Sequence, residues 1–217
     1  MKKYLTSLAL VALSAGSVVW GQQQWRRSQF ITNTYLANPA VAGTEPGTVL
    51  SSSYRQQWAG FDGAPTTKLL SGHQAVPGGG GVGFVLYNDD MGGAIKQTGI
   101  ELTGAYSVLL SNQDAVSFGL SMRGNQFVFD GTGLNVWQTG DQSLPQTIES
   151  TFGVDFNAGM MVYGKNYYFG MSVYNLLEDK LNLSGVDDDA NRMFRHYNFM
   201  ASYLYKVTQL FSLQPSA

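Results

Sequence analysis

This sequence should fold as an all-β, antiparallel, up-and-down transmembrane β-barrel preceded by a short N-terminal helical or irregular segment. The first reason is alternation. Ile100, Leu102, Gly104, Tyr106, Val108 and Leu110 interleave with Glu101, Thr103, Ala105, Ser107 and Leu109. Val116, Phe118, Leu120 and Met122 likewise interleave with Ser117, Gly119, Ser121 and Arg123, with Asn125 continuing the polar set. Phe152, Val154, Phe156, Ala158, Met160 and Val162 stand against Gly153, Asp155, Asn157 and Gly159. The sets Tyr167, Phe169, Met171, Val173 and Tyr197, Phe199, Ala201, Tyr203, Tyr205 repeat the pattern. Period two means strands with one apolar and one polar face.

The second reason is length, since segments of about ten residues suit a tilted bilayer crossing better than an ordinary strand of five or six. The third is the chemistry of the polar faces, which are Gly, Ser, Thr and Asn rather than Lys and Glu. A soluble sandwich would turn its apolar face inward and its charges outward. A barrel turns the apolar face to lipid and keeps a crowded, small, polar lumen. Tyr163, Tyr167, Tyr168, Tyr174, Tyr197, Tyr203 and Tyr205 near strand ends read as an aromatic girdle.

Composition agrees. Of 217 residues, 44% are hydrophobic, 13% aromatic and only 13% charged, with 26 Gly and 6 Pro. That is too apolar for disorder and too rich in Gly and aromatics for a helical bundle. The net charge of −2 gives no reason to expect nucleic acid. The absence of Cys excludes disulfides, thiolate metal sites, thiol nucleophiles and a lipid-modified N-terminal Cys.

At the N-terminus, Lys2 and Lys3 precede an apolar stretch from Leu5 to Val19, and Val19-Trp20-Gly21 precedes Gln22. This reads as a signal peptide, residues 1–21, cleaved after Gly21; the stretch is short for a membrane anchor. Losing Lys2 and Lys3 takes 13 basic residues to 11 against 15 acidic ones, so the mature charge is −4. Residues 22–46 are expected to form a periplasmic or plug-like segment, with a helical turn between Phe30 and Leu36, and residues 47–217 the outer-membrane barrel.

The connections follow the same plan. Asn88-Asp89-Asp90-Met91-Gly92-Gly93 is expected to turn after a Val82–Tyr87 strand, and Asn112-Gln113-Asp114 between two later strands. Gly164-Lys165-Asn166 should be the tightest turn, with Gly at positive φ. Longer loops over 129–149 and 176–195 alternate with these turns, and such loops ordinarily face the exterior.

Two ordered blocks carry a family resemblance. Asn38-Pro39-Ala40-Val41-Ala42-Gly43 resembles the "NPAxAG" opening of the PorP/SprF family. Tyr54-Arg55-Gln56-Gln57-Trp58-Ala59-Gly60-Phe61, followed by Gly63-Ala64-Pro65-Thr66-Thr67, resembles its "YRxQWxGFxGAPxT" block. Gly81-Val82-Gly83-Phe84, Asn88-Asp89 with Gly92, the Val116–Leu120 strand and Leu213-Gln214-Pro215-Ser216 extend the likeness. The motif residues singled out are Asn38, Pro39, Ala40, Gly43, Tyr54, Arg55, Gln57, Trp58, Gly60, Phe61, Gly63, Pro65 and Thr67.

The resemblance implies a non-enzymatic outer-membrane component of the type IX secretion system. Its implied partners are outer-membrane lipid, other secretion components and secreted cargo with a C-terminal sorting domain, gliding adhesins included. No cofactor or metal is implied. The alternative is an outer-membrane porin or substrate-specific channel. Family members extend beyond this chain's length, about nine strands are counted where bacterial barrels have an even number, and the last residue is Ala217 rather than an aromatic. A fragment lacking several C-terminal strands is therefore expected.

Individual side chains add little chemistry. Arg55 has the planar fork to grip an acidic partner, but an ordering pair inside the lumen is the simpler role. Asn38-Pro39, Gly43 and Pro65 read as turn-setters. Asp187-Asp188-Asp189 with Asn191 lacks the spacing of a Ca²⁺ loop. The 78–81 glycine run lacks a following Lys-Ser/Thr and helix, so it reads as a flexible approach to a strand rather than a phosphate loop. His73 and His196 sit in no nucleophile motif and read as chance rim residues.

Overall fold

The structure is a computed structural model that describes residues 32–61, 63–111, 113–132, 147–179, 192–208 and 211–216. The expected signal peptide and the Asp187–Asp189 run with Asn191 lie outside the described residues. Two 3₁₀ turns, Thr34–Leu36 and Pro39–Val41, come first, so the expected helical turn is present at its C-terminal end. Eight strands follow: β1 Thr48–Gln56, β2 Thr66–Val76, β3 Gly80–Asp90, β4 Ile95–Leu109, β5 Ala115–Asp130, β6 Ile148–Tyr163, β7 Tyr167–Tyr174 and β8 His196–Tyr203.

These strands form one antiparallel sheet in chain order, β1 to β8. Among the described residues β1 and β8 do not pair, so the sheet is an incomplete, half-barrel meander. The expectation of an incomplete barrel of about nine strands agrees with this sheet of eight among the described residues. The alternation at Tyr203 and Tyr205 breaks at Leu204, and a separate two-residue pairing of β9 Tyr205–Lys206 with β10 Ser212–Leu213 follows. Ser216 then bridges back to Ser202 on β8.

Burial is inverted relative to a water-soluble sheet. Leu102, Leu120 and Phe152 are 57%, 55% and 68% exposed, whereas Ser117, Ser121 and Asn157 are fully buried at 0%. The apolar face points outward and the polar face inward, the arrangement of a membrane barrel. The girdle needs a correction by strand parity. Tyr167, Tyr197, Tyr203 and Tyr205 are exposed. Tyr174, by contrast, is buried, and Tyr163 and Tyr168 pack against the buried core, because they share parity with the inward residues.

The connections alternate between the two ends of the sheet, and the longest ones share one end. Connections 77–79, 110–114 and 164–166 lie at one end, and 57–65, 91–94, 131–147 and 175–195 at the other. Asn88 and Asp89 belong to β3 rather than to a turn, because Asn88 pairs with Thr98 and Asp89 with Gln97 in the β3–β4 ladder. Gly164 is not among the positive-φ residues. The left-handed glycines of the tight end are Gly78 and Gly79, at φ +90° and +85°, so that run forms the β2–β3 turn itself.

Candidate functional site

The inward face is built to receive the chain's own N-terminal segment. Asn38 caps the Pro39–Val41 turn: its Oδ1 accepts from the Ala40 N–H at 2.9 Å. Its Nδ2 donates to the Met160 and Met171 carbonyls at 3.1 and 3.3 Å, stitching the turn to β6 and β7. Pro39 at the first turn position costs no backbone donor that the turn needs. The segment is seated against glycines, because only a missing side chain lets two backbones approach this closely. A Cβ on Gly119 would overlap Pro39 and Ala40, and one on Gly159 would overlap Asn38. One on Gly81 would overlap Ala42 and Gly43. The glycine run is therefore a seat as well as a turn, and Asn38, Pro39 and Gly43 do more than set the chain direction.

Hydrogen bonds complete the seat. Asn33 Nδ2 donates to Ser71 Oγ at 2.9 Å, Ser172 Oγ to the Ala37 carbonyl at 2.6 Å, and Tyr174 OH to the Leu36 carbonyl at 3.0 Å. Tyr35 OH lies 2.7 Å from Thr103 Oγ1, which lies 2.8 Å from Ser121 Oγ. Burial pushes the Tyr35 hydroxyl above its usual pKa, so it stays protonated within this chain of hydroxyls. His73 is not a rim residue. It is buried on β2, its ring 5.0 Å from that of Tyr35, and its Nδ1 accepts from the Gly43 N–H at 3.5 Å.

Above this seat Arg123 is a buried hub, only 2% exposed. Its Nε lies 3.3 Å from Glu101 Oε2, and its terminal nitrogens donate to Asn175 Oδ1 at 3.3 Å and Asn157 Oδ1 at 3.1 Å. Its guanidinium carbon sits 5.3 Å from the centre of the Tyr174 ring. The chain leaving β7 bends inward here. Asn175 and Glu178 adopt left-handed φ of +57° and +53°, and Leu177 N–H donates to Asp155 Oδ1 at 2.9 Å. Asn175 Nδ2 also reaches the Phe194 carbonyl, at 3.0 Å, on the return side of the same loop. The inner face is thus occupied from one end by residues 33–43 and from the other by the start of the β7–β8 loop.

The second motif block lies at the long-loop end. Tyr54 and Arg55 end β1; Arg55 is half-buried on the inward side, opposite Thr67. Thr67 Oγ1 donates to Asp89. Gln57 N–H donates to the Pro65 carbonyl at 2.9 Å, closing the β1–β2 loop as a turn. Trp58 takes φ +52°, unusual for a bulky residue, and is 70% exposed beside Phe61 at 75%. Trp58, Phe61, Gly63, Pro65, Met91 and Gly92 line a shallow aromatic depression of about 470 Å³. Gly60, at φ +101°, lets the loop between the two aromatics turn. The structure therefore does not bring the two blocks together: Asn38, Pro39, Ala40 and Gly43 sit on the inward face, while the Trp58–Pro65 loop forms a rim.

Among the described residues no three His, Asp or Glu side chains are grouped to hold a metal ion. Both motif blocks fall within residues 19–217, the span matched by the family model described as the type IX secretion system membrane protein PorP/SprF. The chain belongs to the PorP/SprF family. No curated protein and no solved structure matches it. PorP/SprF membership makes this a membrane component of the type IX secretion system.

Sequence reasoning picked out Arg55 and passed over Arg123. The missed signal was register. Glu101 and Arg123 lie equally far on either side of the 110–114 turn, so a hairpin places them face to face on the polar side. Asp155, Asn157 and Asn175 had no comparable local mark, because they meet Arg123 only through pairing of β5, β6 and β7.

Proposed function

We propose that this PorP/SprF chain is a non-enzymatic outer-membrane component that helps cargo proteins with a C-terminal sorting domain, gliding adhesins among them, reach or stay on the cell surface. The observation that carries this reading is the occupied inner face. Residues 33–43 and the inward-bent start of the β7–β8 loop cover the polar side from both ends. A polar inner face covered by its own chain suits holding a partner better than passing solutes. The division into a signal peptide at 1–21, a plug-like segment at 22–46 and a barrel from 47 onward belongs to the same proposal, as does placement in the outer membrane.

On this reading the exposed Trp58 and Phe61 rim, at the end where long loops face the exterior, meets the secreted partner. Exposed aromatics held on a fixed turn are ordinary anchors for protein partners. The test is deletion of the gene with quantification of a sorting-domain cargo. Cargo lost from the surface, or released into the medium, is expected. Unchanged surface display overturns the proposal.

A further inference from the structure

On the outward face the apolar band ends at a single register row near the long-loop end. Lys68, Asn88, Thr98 and Gln126 are successive cross-strand partners on β2, β3, β4 and β5. The next row toward the middle of the sheet is Leu70, Leu86, Ile100 and Gly124, in the same order. A Cβ on Gly124 would stand 3.1 Å from the Phe152 ring and 3.9 Å from Ile100, so the Phe152 ring already lies over Gly124 and closes that end of the row. The polar row and the apolar row together line an outward-facing groove of about 560 Å³.

Tyr54 on β1 and Phe152 on β6 continue the same polar row, so the polar groups sit between two exposed aromatics at the boundary. Asn88 Nδ2 donates to Thr98 Oγ1 at 2.8 Å. Lys68 is exposed and, among the described residues, has no carboxylate partner. One row farther out, Lys96 is already held by Asp90 at 3.4 Å. A cation with no carboxylate partner among the described residues, and with amide and hydroxyl neighbours, thus stands at the edge of an apolar groove that opens toward the bilayer. The complementary ligand has a negative head and a hydrocarbon tail. A lysine stem lying along apolar surface with its ammonium at headgroup level suits that arrangement.

We propose that this groove binds one anionic lipid, its head phosphate at Lys68 and the Asn88–Thr98–Gln126 row and an acyl chain along Leu70, Leu86 and Ile100. The proposal rests on the membrane-spanning reading of the outward face and is independent of any cargo role. The probe is phosphatidylglycerol against phosphatidylcholine of the same chains, added to the purified protein and followed by native mass spectrometry. The wild type should retain phosphatidylglycerol in preference. Lys68→Gln should weaken that retention about fivefold, the effect of one lysine near a charged surface, while Lys96→Gln leaves it unchanged. Ile100→Trp should weaken retention of both lipids by filling the groove, and inorganic phosphate should not compete.

Equal retention of the two lipids by the wild type, equal behaviour of the two lysine variants, or full competition by inorganic phosphate each overturns the proposal. A protein that washes from membranes with carbonate would instead overturn the membrane reading on which it rests.

Discussion

Arg123 and Glu101 face each other across β5 and β4 on the inward side, Nε to Oε2 at 3.3 Å, with both residues buried. A buried ion pair is held at the cost of desolvating two charges, and removing one partner leaves the other stranded. Arg123→Met should therefore destabilise the protein by about 3–5 kcal/mol, and the Arg123→Met, Glu101→Met double variant by clearly less. Urea unfolding in lipid micelles measures both. Equal losses for the single and double variants would show that Arg123 acts through Asn157 and Asn175 rather than through Glu101.

The glycine seat makes a paired prediction. A side chain on Gly119 would collide with Pro39 and Ala40, whereas one on Gly104, on the outward face, meets nothing within 4 Å. Gly119→Val should expel residues 33–43 and make them sensitive to added protease. Gly104→Ala should leave protection intact and change stability by less than about 1 kcal/mol. Limited proteolysis followed by mass spectrometry distinguishes the two.

Asn38 offers a gentler lever on the same contact. Asn38→Ala removes the cap on Ala40 and both bonds to β6 and β7 without adding bulk. A loss of about 1–3 kcal/mol is expected, concentrated in the segment rather than in the strands. Hydrogen exchange at residues 35–43 should accelerate while β5 amides stay protected.

On the other face, Leu120 sits in the outward apolar band and is 55% exposed. Leu120→Arg should cost about 2–4 kcal/mol if that band meets lipid, falling toward zero at the boundary row. Gln126→Arg, on the same strand, tests the second half of that statement. Equal small effects at both positions would contradict a lipid-facing surface.

Much of the fold was legible because period-two alternation gives both strand positions and sheet faces once the outward face is known. Ile100 through Val108 and Val116 through Met122 are ordered as their alternation requires, whereas Leu109 and Leu110 are both exposed at the turn. Tyr174 was misread as girdle because proximity to a strand end does not report parity, and parity turns it inward onto Arg123. Asn38 and Gly43 looked like local turn residues; their partners Met160 and Gly81 lie far along the chain, and only strand pairing brings them together. The rim was the reverse case. Trp58 and Phe61 were visible as motif residues, but the left-handed backbone that presents Trp58 has no mark in the sequence.

The most direct test of a covered inner face is planar-bilayer conductance of the complete, closed barrel with and without residues 33–43. A quiet membrane with the intact protein and discrete current steps after the deletion are the predicted results. Steady large currents from the intact protein would contradict the account and favour a channel.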